Sequence, residues 1–402
     1  MKRILILALA QAMVLGALTA PAVVGLSIDV RRLIPHGDEV GTLGAIISAG
    51  SIAALIANPV FGWLADATGL RRTLLVAGAV CGFAGCAAIL WAPTVILLTA
   101  AWIAAQIGYN MCFGAINGLV SAQLAPHDRT RAAGVLSAVT VLGTLPGLAA
   151  AALFADQHAL LVLAVPSAAL VAIPVLALRV PGGNASAVKR PRAPWRTSAR
   201  AVANPAFALA VAARFVIALE LAAGLIFALY LFTDRWHLDT PAAVRLVSAA
   251  TLLGAIGIVA ASSAISLTRL RAVDPRALLG VGLGALALGT VGRGLAATPA
   301  VFLVATVIAG CAIGVGFTAS RSLAQGALPP SDSGFGLGVL NAANTVAPAI
   351  APVLAGALVV PGVIPWQDDG YGTMYLLLVI PIAVCAAAIP IAASRRRRAV
   401  IK

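Results

Sequence analysis

Twelve stretches of about twenty mostly apolar residues dominate this sequence. They cover about residues 4–28, 40–61, 73–92, 94–116, 132–154 and 159–178, then 206–232, 244–266, 277–297, 299–320, 334–360 and 371–393. Roughly twenty helical residues cross the ~30 Å hydrocarbon core of a bilayer, so each run has the length of one crossing. In lipid a segment must satisfy its own backbone N–H and C=O groups, and these runs lack the alternation of a β-barrel strand. Helix is what remains. Composition agrees: 61% of the 402 residues are hydrophobic and 10% are charged, where a soluble domain carries about 25% charged residues. So few charges cannot cover a surface in water. The sequence therefore predicts an all-α membrane protein. The first run follows Met1-Lys2-Arg3 as a signal peptide would, but the eleven later runs predict that it stays as the first span.

Charge placement sets the expected orientation. With the N-terminus in the cytoplasm, 21 Lys and Arg residues fall on the cytoplasmic side and five on the outer side, with Arg214 inside a run. The outer five are Arg31, Arg32, Arg235, Arg245 and Arg293. This is the positive-inside asymmetry of multi-pass proteins. It predicts a plasma-membrane protein with both termini cytoplasmic. The excess of Arg over Lys, with much Ala and Gly, points to a bacterial, GC-rich source. The net charge of +14 then follows from topology, and the basic groups answer to the lipid bilayer rather than to nucleic acid. Arg395–Arg398 reads as a lipid-facing anchor.

The long polar interior stretch, residues 180–204, separates six runs from six. The expected organisation is a six-helix bundle over 1–179, a cytoplasmic linker over 180–204, and a second bundle over 205–402 with a basic cytoplasmic tail. The halves also repeat. Residues 124–138 (LAPHDRTRAAGVLSA) and 328–342 (LPPSDSGFGLGVLNA) coincide at seven positions at an offset of 204. Leu124-x-Pro126-x-Asp128 and Leu328-x-Pro330-x-Asp332 carry the signal, since Ala, Gly and Leu coincide easily in this composition. Two parallel six-helix repeats are a transporter architecture, with the substrate site between the halves near mid-membrane.

The loop after the second run reads Gly62-Trp63-Leu64-Ala65-Asp66-Ala67-Thr68-Gly69-Leu70-Arg71-Arg72. It resembles the major facilitator superfamily signature G-x-L-(A/S)-D-R-x-G-R-(K/R), matching at Gly62, Leu64, Ala65, Asp66, Gly69 and Arg71 and departing at Ala67 and Leu70. Asp128-Arg129-Thr130-Arg131 is similar to that superfamily's loop between helices four and five. The resemblance implies two pseudo-symmetric six-helix bundles that alternate access. It also implies a cytoplasmic gate built on Gly62, Leu64, Asp66, Gly69, Arg71, Asp128, Arg129 and Arg131. In it, Gly62 lets helix two approach the other half, and Asp66 accepts from a facing helix N-terminus or pairs with arginines. A narrower likeness rests on Gly338-Val339-Leu340-Asn341-Ala342-Ala343-Asn344 with Gln106 and Asn110. It is to bacterial members related to sugar:cation symporters, although the acidic residue common in their first helix is absent here.

Polar groups inside the spans need a reason, because a central charge costs about 2.5–3.5 kcal/mol to insert. Glu220 is the carboxylate placed well inside a span. A carboxyl that exchanges its proton with whichever side is open is what proton coupling requires, and the alternative is a Glu hydrogen-bonded to a neighbouring helix. Gln106 and Asn110 share a helical face at i,i+4. With Arg214, Asn341 and Asn344 they are the substrate-cavity candidates; the competing reading for the amides is helix-to-helix hydrogen bonding, and for Arg214 a snorkel toward the interface. Five scattered cysteines, with no metal-ligand spacing, predict neither disulfide nor metal, and no cofactor is expected. There is no HExxH, GxSxG or Walker A motif, so no catalytic residues are assigned and an embedded enzyme or receptor ranks low. The expected function is secondary transport of a small solute by a monomer, with protons as the coupling ion. Multidrug/proton efflux in the same fold is the alternative.

Overall fold

The computed structural model describes residues 2–35, 38–123, 136, 139, 140, 142–179, 204–328, 333–364, 367 and 369–400. Residues 2, 3, 66, 121–123, 271, 333–338 and 391–400 are described by backbone alone. The described chain is nearly all helix. Helix α1 (Lys2–Ala20) runs through a π turn at Pro21–Gly25 into α2 (Leu26–Leu33). Then come α3 (Glu39–Thr68), α4 (Arg71–Leu90), α5 (Val95–Gln123), α6 (Leu145–Leu153) and α7 (His158–Leu178). The second series is α8 (Pro205–Ala223), α9 (Ala228–Trp236), α10 (Thr240–Leu267), α11 (Pro275–Gly294), α12 (Pro299–Ala327), α13 (Ser333–Ala357) and α14 (Tyr371–Val400). Among the described residues, eleven helices are long and apolar enough to cross a membrane. The fifth expected span is described only in part, ending in α6.

Local chemistry sets the boundaries. Asn204, Asp274 and Thr298 each accept a backbone N–H of the first turn they precede, and each is followed by a proline at the first helical position. An N-cap oxygen followed by proline is a strong start signal, because proline lacks only a donor that would have gone unpaired. Helix α3 stops at Gly69, whose φ of 72° is left-handed and whose N–H closes on the Ala65 carbonyl at 3.1 Å. Glycine adopts that conformation without penalty. The signature glycine is thus the hinge between α3 and α4.

The chain clusters into two compact units, Met1–Pro191 with Asp239–Ser248, and Arg192–Leu238 with Ala249–Lys402. Internally they repeat one pairing pattern. In the first, α1 packs on α5, α6 and α7, and α4 packs on α5 and α7. In the second, α8 packs on α12, α13 and α14, and α11 packs on α12 and α14. Lipid supplies little hydrophobic drive between helices, so close backbone approach at small residues must hold such bundles. Gly78, Gly82 and Gly85 of α4 form a seam against α5, and Gly282 and Gly289 of α11 form its counterpart against α12. Large apolar side chains such as Ile96, Val171, Leu178, Val281 and Val384 point outward, each at least 66% exposed. Such faces suit lipid and not water.

Polar side chains tie helices where charge or amide would otherwise be stranded. Gln11 in α1 donates to the Leu136 carbonyl at 2.9 Å and to Thr140 Oγ1 at 3.1 Å. Buried Asp29 in α2 meets Arg32 and His158, both at 3.0 Å. Arg235 at the end of α9 grips Asp369 through two bonds of 2.6 and 2.8 Å.

Candidate functional site

One departure from the expected spans locates the site. The run 206–232, expected as one helix, is broken: α8 ends at Ala223, residues 224–227 form a turn, and α9 resumes at Ala228. The 204-residue offset of the sequence repeat carries the π turn Pro21–Gly25 onto residues 225–229, overlapping this break. Interrupted helices at matching positions of two repeats point to a working region of a transporter, and π turns often mark functional sites.

A buried polar cluster sits against the break. Glu220 lies one turn before it, 1% exposed, and its Oε1 pairs with Arg293 of α11 and accepts from Thr290 Oγ1 at 3.1 Å. Arg293, 3% exposed, donates through Nη1 to the Gly224 carbonyl at 3.1 Å, and the Tyr375 hydroxyl of α14 donates to the same oxygen at 2.6 Å. The Arg293 guanidinium also lies 5.2 Å from the Tyr375 ring centre. Breaking a helix frees carbonyls, and in lipid each needs a donor; Gly224 receives two. A side chain at 224 would meet the Glu220 carbonyl at 2.8 Å and the Arg293 guanidinium carbon at 3.1 Å, so the crowding favours glycine there. Among the described residues, Glu220 Oε2 is buried with no hydrogen-bond partner.

Sequence reasoning found Glu220 and missed its surroundings. Arg293 counted there as an outer-side charge; it lies in the last turn of α11 and is buried against the bundle. The signal was available, since Gly292-Arg293-Gly294 falls within the apolar run 277–297. One acid and one base in neighbouring spans of one half form a natural pair. Thr290 and Tyr375 carried no such signal.

The other candidates are dispersed. In α5, Asn110 donates to the Gln106 carbonyl at 2.9 Å and to its side-chain oxygen at 3.2 Å, so these two amides do share a face and bond each other. Arg214 of α8 lies over the Phe317 ring at 3.9 Å and donates to the Phe317 carbonyl at 3.2 Å. In α13, Asn341 is exposed while Asn344 is half-buried, its Oδ1 buried without a hydrogen-bond partner. Gly62, for which the resemblance implies contact with the other half, packs in its own unit against Gly114 of α5. Leu64 is half-buried and its carbonyl accepts the Thr68 hydroxyl at 2.7 Å. Arg71 opens α4 fully buried, its stem against Gly118 of α5. Asp128, Arg129 and Arg131 lie outside the described residues, as does the side chain of Asp66. A pocket of about 600 Å³ opens beside the Arg235–Asp369 clamp. Much of its polar lining is engaged within the protein, including Asp234 with the Tyr371 hydroxyl at 2.9 Å. The Glu220 cluster and Arg214 are the stronger candidates.

Several solved structures share the fold along nearly the whole chain. A bacterial homologue of the human lysosomal transporter Spinster, inward-facing and unoccupied, is 15% identical with a TM-score of 0.76, covering 98% of this chain and 96% of that one. The nucleoside transporter NupG is 15% identical with a TM-score of 0.69, covering 98% and 99%. The xylose transporter XylE from E. coli is 14% identical with a TM-score of 0.66, covering 96% and 97%. No curated protein matches the sequence. The sequence profile described as Major Facilitator Superfamily matches residues 4–292. With that match over most of its length, the chain belongs to the major facilitator superfamily of multi-pass membrane transporters.

Proposed function

We propose that this protein is a secondary transporter that carries a small polar solute by alternating access in a bacterial plasma membrane, driven by protons through Glu220. The observation that supports coupling is the half-satisfied carboxyl beside the break in its helix. Oε1 is held by Arg293 and Thr290, while Oε2 is buried without a hydrogen-bond partner and is the oxygen on which a proton can sit. A proton and Arg293 compete for one carboxylate. Protonation removes the attraction that holds Arg293, and Arg293 is one of two donors to the Gly224 carbonyl. The charge state of Glu220 thereby reaches the break between α8 and α9.

The test removes both charges at once, because the single change leaves an orphan cation. Glu220→Gln with Arg293→Gln is expected to fold, and to exchange solute across proteoliposome membranes without accumulating it under an imposed proton gradient. Accumulation at the wild-type level in that variant would take Glu220 out of the coupling mechanism. The signature loop is proposed as the cytoplasmic gate, in which Gly62, Leu64, Asp66, Gly69 and Arg71 act with Asp128, Arg129 and Arg131. Asp66→Asn is expected to slow turnover while the yield of folded protein stays near wild type; unchanged exchange rates would reduce Asp66 to a solvated loop charge.

A further inference from the structure

Among the described residues, no carboxylate balances the charge of Arg214. Pro205 opens α8 and Arg214 stands nine residues on, about 14 Å along the axis at 1.5 Å per residue. Its guanidinium rests on the Phe317 ring and its Nη1 reaches the Phe317 carbonyl, which also accepts Ser320 Oγ at 3.2 Å. These are neutral partners. Its Nε is buried with no hydrogen-bond partner. The helices of this half hold only two carboxylates, Glu220 and Asp234. Glu220 is taken by Arg293, and Asp234 lies beyond the break near the far end of α9, so neither pairs with Arg214. A second cation stands close by. Arg321 is four residues beyond Phe317, hence on the same face of α12 one turn along, and its side chain is exposed. Two like charges on neighbouring faces of α8 and α12, in a medium of low dielectric and with no carboxylate between them among the described residues, repel each other. An anion between them would reverse the sign of that interaction.

We propose that Arg214 and Arg321 bind an anionic group of the carried solute, a carboxylate or a phosphate. This rests on the transporter reading above and narrows its substrate class. The planar fork of arginine accommodates two oxygens of either group, which a lysine cannot do. A phosphate could also come from a lipid headgroup, so the experiment separates the two sources.

The protein, purified in non-ionic detergent, is heated with acetate, inorganic phosphate or xylose at constant ionic strength. Acetate or phosphate is expected to raise the unfolding temperature saturably, and xylose to act equally on wild type and variants. Arg214→Gln is expected to raise the half-saturating anion concentration about tenfold or more, the loss of one charge-assisted contact. Arg321→Gln should raise it by a smaller factor, and Arg214→Lys should retain part of the response. An anion effect undiminished in Arg214→Gln and Arg321→Gln overturns the proposal. So does stabilisation by phosphatidylglycerol over phosphatidylcholine nanodiscs with acetate and phosphate inert, which assigns the pair to a headgroup. Binding in detergent needs no transport. Solute exchange without the anion effect therefore refutes this inference alone, and the anion effect without any exchange refutes the transporter reading.

Discussion

Glu220→Gln alone is expected to lower stability by about 3–5 kcal/mol, the usual cost of removing one member of a buried ion pair. The cost lies with the residue left behind. Arg293 is 3% exposed, and without Glu220 its positive charge keeps, among the described residues, the Gly224 carbonyl and the Tyr375 ring. Replacing both members with apolar residues of similar size, Glu220→Leu with Arg293→Met, is expected to restore most of the loss, because buried pairs are often no more stable than apolar substitutes. The coupling between the two sites is the decisive quantity. It is read from thermal unfolding in detergent of wild type, Glu220→Leu, Arg293→Met and the double variant. A single variant as stable as wild type would mean that the pair does not form.

The second large effect is expected at Gly114, with an internal control at its neighbour. A Cβ added to Gly114 would meet Gly62 N at 2.7 Å, the Phe61 carbonyl carbon at 2.9 Å and the Asn58 carbonyl oxygen at 3.1 Å, all backbone of α3. Backbone cannot swing aside as a side chain can, so α3 and α5 must separate. Gly114→Ala should therefore cost about 3 kcal/mol, the upper end for overpacking. Viewed from the other side of the same contact, a Cβ on Gly62 meets only Gly114 Cα at 3.9 Å. Gly62→Ala should be nearly neutral in stability, so any loss of turnover it causes would report on the gate. Equal destabilisation by the two substitutions would contradict this packing.

What the sequence revealed and what it hid divide along a physical line. Spans are legible because satisfying backbone groups in lipid is a property of each segment by itself. The start signals Asn204-Pro205, Asp274-Pro275 and Thr298-Pro299 are local too, as is the i,i+4 pair of Gln106 and Asn110. The break at 224–227 was not legible. Leu221 to Tyr230 is apolar throughout but for the tyrosine hydroxyl, and one glycine within a membrane helix signals nothing by itself. What holds the break open are donors from α11 and α14, far along the chain. The partner of Glu220 was legible only in part: Arg293 falls within the apolar run 277–297, but at a helix end, where a basic residue reads as a boundary charge. Buried pairing is a tertiary fact.

Solute counterflow in proteoliposomes distinguishes a carrier from every other use of this fold. Vesicles holding the wild-type protein are loaded with unlabelled solute from the anionic class and diluted into a trace of the labelled form. A carrier exposing one site to each side in turn should draw label inward to a transient overshoot that then decays. Label that merely equilibrates, or stays outside for every solute class tried, would contradict secondary transport by this chain.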